Sequence, residues 1–223
     1  MEKKNFAPIL DSALLEPEKT LSQLEELCSQ AMESGYAAVA VMPSRVAQAA
    51  KLLKGSKVRV CVALGFPLGM TTPEVKAFEA AQAIDNGAMD VDMVMNIGAM
   101  KDKDYDLVYR DIRGVVDAAK AKKPGVVVKV ILETCLLTDE EKVKACEIAA
   151  KAGADYVKTS TGFNADGATV PDIELMYRTV GDRIGVKAAG RVRTYGDAVR
   201  MTEAGANRIG CSARAAAAIV RGE

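Results

Sequence analysis

Two lysines interrupt short apolar runs in the second half of this chain. Lys158 lies in Tyr156-Val157-Lys158-Thr159-Ser160-Thr161-Gly162, and Lys187 in Gly185-Val186-Lys187-Ala188-Ala189-Gly190. An ammonium inside a buried strand is unfavourable unless it is paired or deprotonated. Two ammoniums brought close together each lower the other's pKa. A lysine made neutral in this way attacks carbonyl carbon, so Schiff-base chemistry is the first reading to test. Single buried lysines are also common members of structural ion pairs. Carboxylates on neighbouring runs, Asp90 and Asp92 in Asp90-Val91-Asp92-Met93-Val94, turn the reading toward catalysis.

The rest of the composition narrows the chemistry. The chain has no histidine, which excludes Ser-His-Asp and Cys-His triads, imidazole metal ligation and histidine bases. No metal centre is expected. Lysine plus arginine equals aspartate plus glutamate at 30 each, so neither nucleic acid nor an anionic membrane is an expected partner. Five cysteines are scattered without a CxxC, as expected of reduced thiols in a cytoplasmic protein. Met1-Glu2-Lys3-Lys4 leads into no long apolar stretch, so neither a signal peptide nor a membrane span is expected.

Positioning two lysines and two aspartates requires a regular frame, and the chain has one. A glycine helix stop followed at once by a β-rich run recurs at Asn86-Gly87-Ala88, Ala152-Gly153-Ala154 and Ala204-Gly205-Ala206, with a looser copy at Ser34-Gly35-Tyr36. Helix starts fill the intervals. Thr20 to Gln23 and Thr138 to Glu141 fit capping boxes, and Thr72-Pro73 fits an N-cap with proline in the first turn. Eight strands are predicted, at 9–12, 37–42, 58–64, 90–95, 126–132, 155–158, 184–188 and 207–210. Near-continuous apolar runs alternating with helices predict a single-domain α/β protein spanning residues 1–223, a (β/α)8 TIM barrel. An open doubly wound sheet is the second choice, but no GxGxxG follows the first strand.

In such barrels the chemistry sits at the C-terminal ends of the strands. Those ends carry Asp11, Asp90 and Asp92, Lys129 and Glu133, Lys158 with Thr159 and Ser160, and Lys187. Strand alternation places Asp90 with Asp92, Tyr156 with Lys158, and Gly185 with Lys187 and Ala189 on common faces. If these faces point inward, one pocket holds lysines and carboxylates together. The seventh and eighth strands run into Gly190-Arg191 and Gly210-Cys211-Ser212, followed by a short helix at Ala213–Arg221. Barrels often bind phosphate there, and Arg191, Arg193 and Arg214 add positive charge.

These segments together resemble the deoxyribose-phosphate aldolase family. The match rests on Val157-Lys158-Thr159-Ser160-Thr161-Gly162-Phe163 and Gly185-Val186-Lys187-Ala188-Ala189-Gly190. It extends to Gly65-Phe66-Pro67-Leu68-Gly69, Asp90-Val91-Asp92-Met93-Val94 and Leu132-Glu133-Thr134-Cys135-Leu136-Leu137-Thr138. The resemblance implies a cofactor-free class I aldolase that joins acetaldehyde to D-glyceraldehyde 3-phosphate and cleaves the product. It implies Lys158 as the Schiff-base residue, Lys187 as the lysine that lowers its pKa, and Asp92 as the proton carrier through a water. It adds Asp11 as a further site residue. The expected substrate-binding set is Asp11, Lys129, Thr159, Gly190, Arg191, Ser212 and Arg214, the expected partners small aldehydes and sugar phosphates, and the expected assembly a homodimer.

The chain departs from the family pattern at four places. Asp11-Ser12-Ala13 stands where the family has Asp-His-Thr, and Ala40-Val41-Met42-Pro43 where it often has Cys-Val-Asn-Pro. Gly190-Arg191 replaces a Gly-Gly pair, and Ser212-Ala213-Arg214 replaces Ser-Ser-Gly. Arginine removes the close backbone approach that glycine gives an anion, while adding charge. Altered phosphate recognition is therefore expected, with non-phosphorylated or carboxylate-bearing acceptors as alternatives. An engineered chain, or one using its iminium for Michael-type addition, is a further expectation. Other readings are a keto-acid Schiff-base barrel with Arg191 on the carboxylate, and a non-catalytic sugar-phosphate binder.

Overall fold

Eight parallel strands close into one barrel in the order of the sequence, with β1 pairing β8, which rules out the open doubly wound sheet. The computed structural model describes residues 4–223; Met1, Glu2 and Lys3, read above as part of no leader, lie outside the described residues. The strands are β1 (Leu10–Leu14), β2 (Ala38–Val41), β3 (Arg59–Leu64), β4 (Asp90–Val94), β5 (Val127–Ile131), β6 (Tyr156–Lys158), β7 (Gly185–Ala189) and β8 (Arg208–Ser212). Each predicted strand is present, with ends displaced by at most a few residues. The largest shifts are at β1, which runs on to Leu14, and β8, which runs on to Ser212.

The helices are α1 (Leu21–Ser34), α2 (Val46–Leu52), α3 (Pro73–Asp85), α4 (Ile97–Lys101), α5 (Tyr105–Lys122), α6 (Asp139–Lys151), α7 (Val170–Val180), α8 (Tyr195–Glu203) and α9 (Ala213–Arg221). Both expected capping boxes form: Thr20 with Gln23 opens α1, and Thr138 with Glu141 opens α6. Each satisfies donors that a helix start otherwise leaves unpaired. Thr72 caps α3 ahead of Pro73, as its sequence suggests.

Strand parity sorts the side chains into two populations. Val39, Val41, Val60, Val62, Val91, Met93, Val128, Val130, Val157, Val186 and Ile209 join one apolar cluster between sheet and helices. This layer, buried on every strand, is the main hydrophobic core. The residues between them point inward, and they are of two kinds. On β1 to β3 most are small, with Asp11 and Arg59 the charged exceptions: Ala13, Ala38, Ala40 and Cys61 form their own minor cluster. On β4 to β8 they include Asp90, Asp92, Lys129, Lys158 and Lys187, all buried. Small residues on one wall leave room for a ligand, and charged residues on the other face that room.

A second buried ion pair braces β4 from outside. Lys76 on α3 donates to Asp111 on α5 at 2.6 Å and to the Val94 carbonyl at 2.9 Å, while Asp111 accepts the Asn96 N–H at 3.1 Å. The pair thus fixes the end of the strand that carries Asp92.

Candidate active site

The C-terminal end of the barrel opens into a cavity of about 330 Å³, within the range for a small ligand. Its walls include Asp11, Ala13, Ala40, Ala63, Asp92, Lys158, Lys187, Gly190, Arg191, Arg193 and Ser212. The sequence-predicted residues on this wall are therefore Asp92, Lys158, Lys187, Asp11, Gly190, Arg191 and Ser212. Three others are placed elsewhere. Lys129 is fully buried below the cavity, one layer deeper than Lys158, because its register partner on β6 is Tyr156. Thr159 turns away: its hydroxyl donates to the Ala189 carbonyl at 2.9 Å and accepts the Ala189 N–H at 3.1 Å, tying β6 to β7. Arg214 lines a separate groove between α1 and α9.

Asp92 is the centre of the charge cluster. Its Oδ2 accepts from Lys158 Nζ at 2.7 Å and Lys187 Nζ at 2.6 Å. Its Oδ1 accepts from Lys129 Nζ at 3.0 Å and from the Cys61 thiol at 3.2 Å. Burial alone would raise its pKa, but the ammoniums of Lys129, Lys158 and Lys187 hold it well below the usual carboxylate range. Asp11 behaves alike: burial opposes ionisation, yet Lys187, Lys129 and Arg208 bring it down to about 2.

The three lysines are not equivalent. Lys129 also donates to Asp90 at 2.7 Å, and Lys187 to Asp11 at 2.5 Å, so each donates to two aspartates. Lys158 bonds one aspartate, Asp92, and its side chain keeps 8% exposure at the cavity surface. The pKa directions follow. Burial presses Lys187 down, but Asp11 and Asp92 outweigh it and the pKa rises. Lys129 rises further, against burial, mainly through Asp92. Only Lys158 falls, because burial and the Lys187 ammonium outweigh Asp92. The expectation that the two lysines lower each other therefore holds for Lys158 and is corrected for Lys187. Asp11, remote in sequence, reverses the sign there.

Local structure explains how these side chains fit. A Cβ on Gly210 of β8 would lie 2.9 Å from Lys187 Cε, so glycine at that register makes room for the lysine. At the mouth, Gly190 has φ +81° and packs its backbone on Gly167, whose Cβ would meet the Gly190 carbonyl. The next residue, Arg191, also has positive φ, at 62°. It pairs with Asp166 at 2.9 Å, and both side chains are more than half exposed. Left-handed backbone is unfavourable for a residue with Cβ by about 1–2 kcal/mol, and an exposed pair returns little. Arg191→Gly is therefore expected to raise stability by about 0.5–1 kcal/mol after the entropic cost of glycine. Urea denaturation checks this; a loss of stability would mean that the arginine side chain holds the loop.

Some site residues escaped the sequence reading. Cys61 sits beneath Asp92, its thiol pushed up strongly by burial and by the Asp92 charge. Its position two residues before Ala63 on β3 gave an inward parity that could have found it. Glu133 was noted at a strand end, and the structure gives it a task. Its carboxylate accepts from the Thr161 N–H and hydroxyl and from Asn164 at 2.9 Å, holding the loop that follows Lys158. Asp11, Cys61 and Asp92 bring three potential metal-ligand atoms within 4.8 Å of one another. Each carboxylate there is already bonded to lysine and the thiol is held protonated, so the donors serve an ion-pair cluster.

A lysine whose pKa is lowered, beside a shared carboxylate at the open end of a barrel, is suited to form an imine and move a proton next to it. Comparison with known proteins places the chain among aldolases. The model of the DeoC/LacD family of aldolases matches residues 6–216. A deoxyribose-phosphate aldolase of Listeria innocua is 59% identical over 218 residues, covering 98% of this chain and 96% of its own. One of Clostridium perfringens is 57% identical over 213 residues, covering 96% of this chain and 94% of its own. A solved deoxyribose phosphate aldolase from Aeropyrum pernix, described as tetrameric, superposes with a TM-score of 0.89. It is 33% identical and covers 97% of this chain and 89% of its own.

Proposed function

The chain belongs to the DeoC/LacD family of aldolases and is a carbon–carbon lyase, and on that premise we propose that it cleaves 2-deoxy-D-ribose 5-phosphate through a Schiff base on Lys158. The observation that carries the assignment is the single aspartate partner of Lys158, against three for Lys129 and two for Lys187. Neutral Lys158 adds to the C1 aldehyde to give a carbinolamine, and loss of water gives an iminium. The iminium draws electrons from the C2–C3 bond as the C3 hydroxyl loses its proton. That bond breaks, D-glyceraldehyde 3-phosphate leaves, and an enamine remains. Protonation at C2 and hydrolysis release acetaldehyde and restore the lysine.

Asp92 is the group that moves these protons, directly or through a water, and Lys187 stays charged beside it. Its fixed charge keeps Lys158 neutral and later stabilises developing negative charge on oxygen. On the cavity wall beyond the end of β7, Arg191 and Arg193 supply positive charge for the phosphate, and Ser212, which caps the N-terminus of α9, lines the same cavity. This arrangement supports an anion end built on side chains where the family pattern uses glycine. The enzyme reading displaces the non-catalytic binder.

Exposed Leu68, Met70, Val75 and Phe78 support self-association as a homodimer. Five free cysteines, four of them buried, support a reducing, cytoplasmic setting. No helix among the described residues is long and apolar enough to cross a membrane.

The test is a coupled assay for the acetaldehyde released from 2-deoxyribose 5-phosphate, with 2-deoxyribose as comparison. A kcat/KM at least about tenfold higher for the phosphorylated sugar is expected, on the order of one charge-assisted contact. Equal values for the two sugars would remove phosphate from the substrate assignment.

A further inference from the structure

Arg208 opens β8 at the end of the barrel away from the cavity, and its side chain is 14% exposed. Its Nε donates to Asp11 Oδ1 at 2.7 Å, and a terminal nitrogen reaches Asp90 Oδ2 at 3.3 Å. The same two aspartates hold the lysines above. Asp11 Oδ2 accepts from Lys187, and Asp90 Oδ2 accepts from Lys129. Arg59 also bonds Asp90, from β3. A continuous chain of ion pairs thus runs from Arg208 through Asp11 to Lys187 and Asp92, and ends at Lys158.

The charges in this chain do not balance. Asp11, Asp90 and Asp92 face five cations: Arg59, Lys129, Lys158, Lys187 and Arg208. A guanidinium does not give up its proton in a protein. Lys129 is held by three aspartates and Lys187 by two. The remaining cation is Lys158.

Resting on the reading of Lys158 as nucleophile, we propose that Arg208 is a positioning residue for the reaction: from the far end of the barrel it engages Asp11 and Asp90 and maintains the excess positive charge that makes Lys158 the group to lose its proton. The groups acting directly on Lys158 are Cys61 of β3, Asp92 of β4 and Lys187 of β7; Asp11 of β1 and Lys129 of β5 act on Lys187, Arg208 and Asp90 reach the cluster through Asp11 and Lys129, and β2 contributes only alanines there. Without Arg208, Asp11 and Asp90 are shared by fewer cations and the cluster loses one positive charge. Lys158 then holds its proton to higher pH.

The experiment follows the pH dependence of kcat/KM, and of borohydride trapping with acetaldehyde, in wild type and in Arg208→Gln, Arg208→Met and Arg208→Lys. In the glutamine variant the acid limb of both profiles is expected to move up by roughly half a pH unit or more. The lysine variant, which keeps the charge, is expected to return toward wild type. If the glutamine variant does not fold, the methionine variant, which keeps the aliphatic stem, carries the same expectation. An acid limb that stays in place while kcat falls would overturn the proposal and leave Arg208 a structural role. Wild type that traps no aldehyde on Lys158 would fail earlier and differently, by removing the nucleophile on which the inference rests.

Discussion

Lys158→Met is expected to reduce cleavage of 2-deoxyribose 5-phosphate by about 10⁴-fold or more, the scale on which removal of a covalent nucleophile acts. Methionine keeps the length of the stem and removes the ammonium. The variant should fold normally, because Asp92 retains Lys129 and Lys187 as partners. Loss of one cation from a cluster with positive excess is tolerable in itself. Steady-state kinetics should show kcat collapsing, with thermal denaturation close to wild type. A variant with kcat within about tenfold of wild type would not be compatible with covalent catalysis at this lysine.

Asp92→Asn has the second largest expected effect, and it combines two losses. As the proton carrier, Asp92 is worth about 10²–10⁴-fold in kcat. As the shared counterion of Lys129, Lys158 and Lys187, it also stabilises the fold. Removing it leaves buried ammoniums under-paired, at a cost of about 3–5 kcal/mol. The pH dependence separates this role from catalysis. Asp92 and Asp11 have folded-state pKa values depressed below their unfolded values, Asp11 to about 2. Their contribution is therefore fully present above the unfolded carboxylate pKa of about 3.9 and is lost as pH falls toward the folded value. Urea denaturation of wild type should show stability falling steeply over that interval. The asparagine variant should start lower and fall less. Parallel curves for the two proteins would contradict the shared-counterion role.

Much of the frame was legible because it is local. A glycine stop, a short apolar run and a capped helix start each announce themselves within a few residues. Eight predicted strands, several of them framed by these signals, leave little choice of fold. Inward parity was legible for the same reason, which is why Asp92, Lys158 and Lys187 were found together. Depth was not legible. Lys129 and Lys158 both lie on inward faces, but β5 and β6 are offset so that Lys129 pairs with Tyr156 and sits a layer lower. That stagger comes from closing the barrel, and no single strand encodes it.

Charge partners brought together by closure were equally hidden. Asp11 and Lys187 are 176 residues apart, and their contact decides that Lys187 stays protonated. Arg208 stood in plain sight in a predicted strand, two residues before Gly210. It begins its strand, at the end of the barrel opposite the one that strand-end reasoning assigns to chemistry. Arg214 was misplaced because the turn into α9 carries it past Ser212 to the α1 side.

The central claim is that Lys158, and neither of its two neighbours, forms the covalent intermediate. Treating the enzyme with acetaldehyde and sodium borohydride, followed by proteolysis and mass spectrometry, reads this directly. The expected product is a single ethyl group on the peptide containing Lys158, absent from the Lys158→Met variant. Ethylation on Lys187 or Lys129 in its place, or no ethylated peptide at all, would contradict the account.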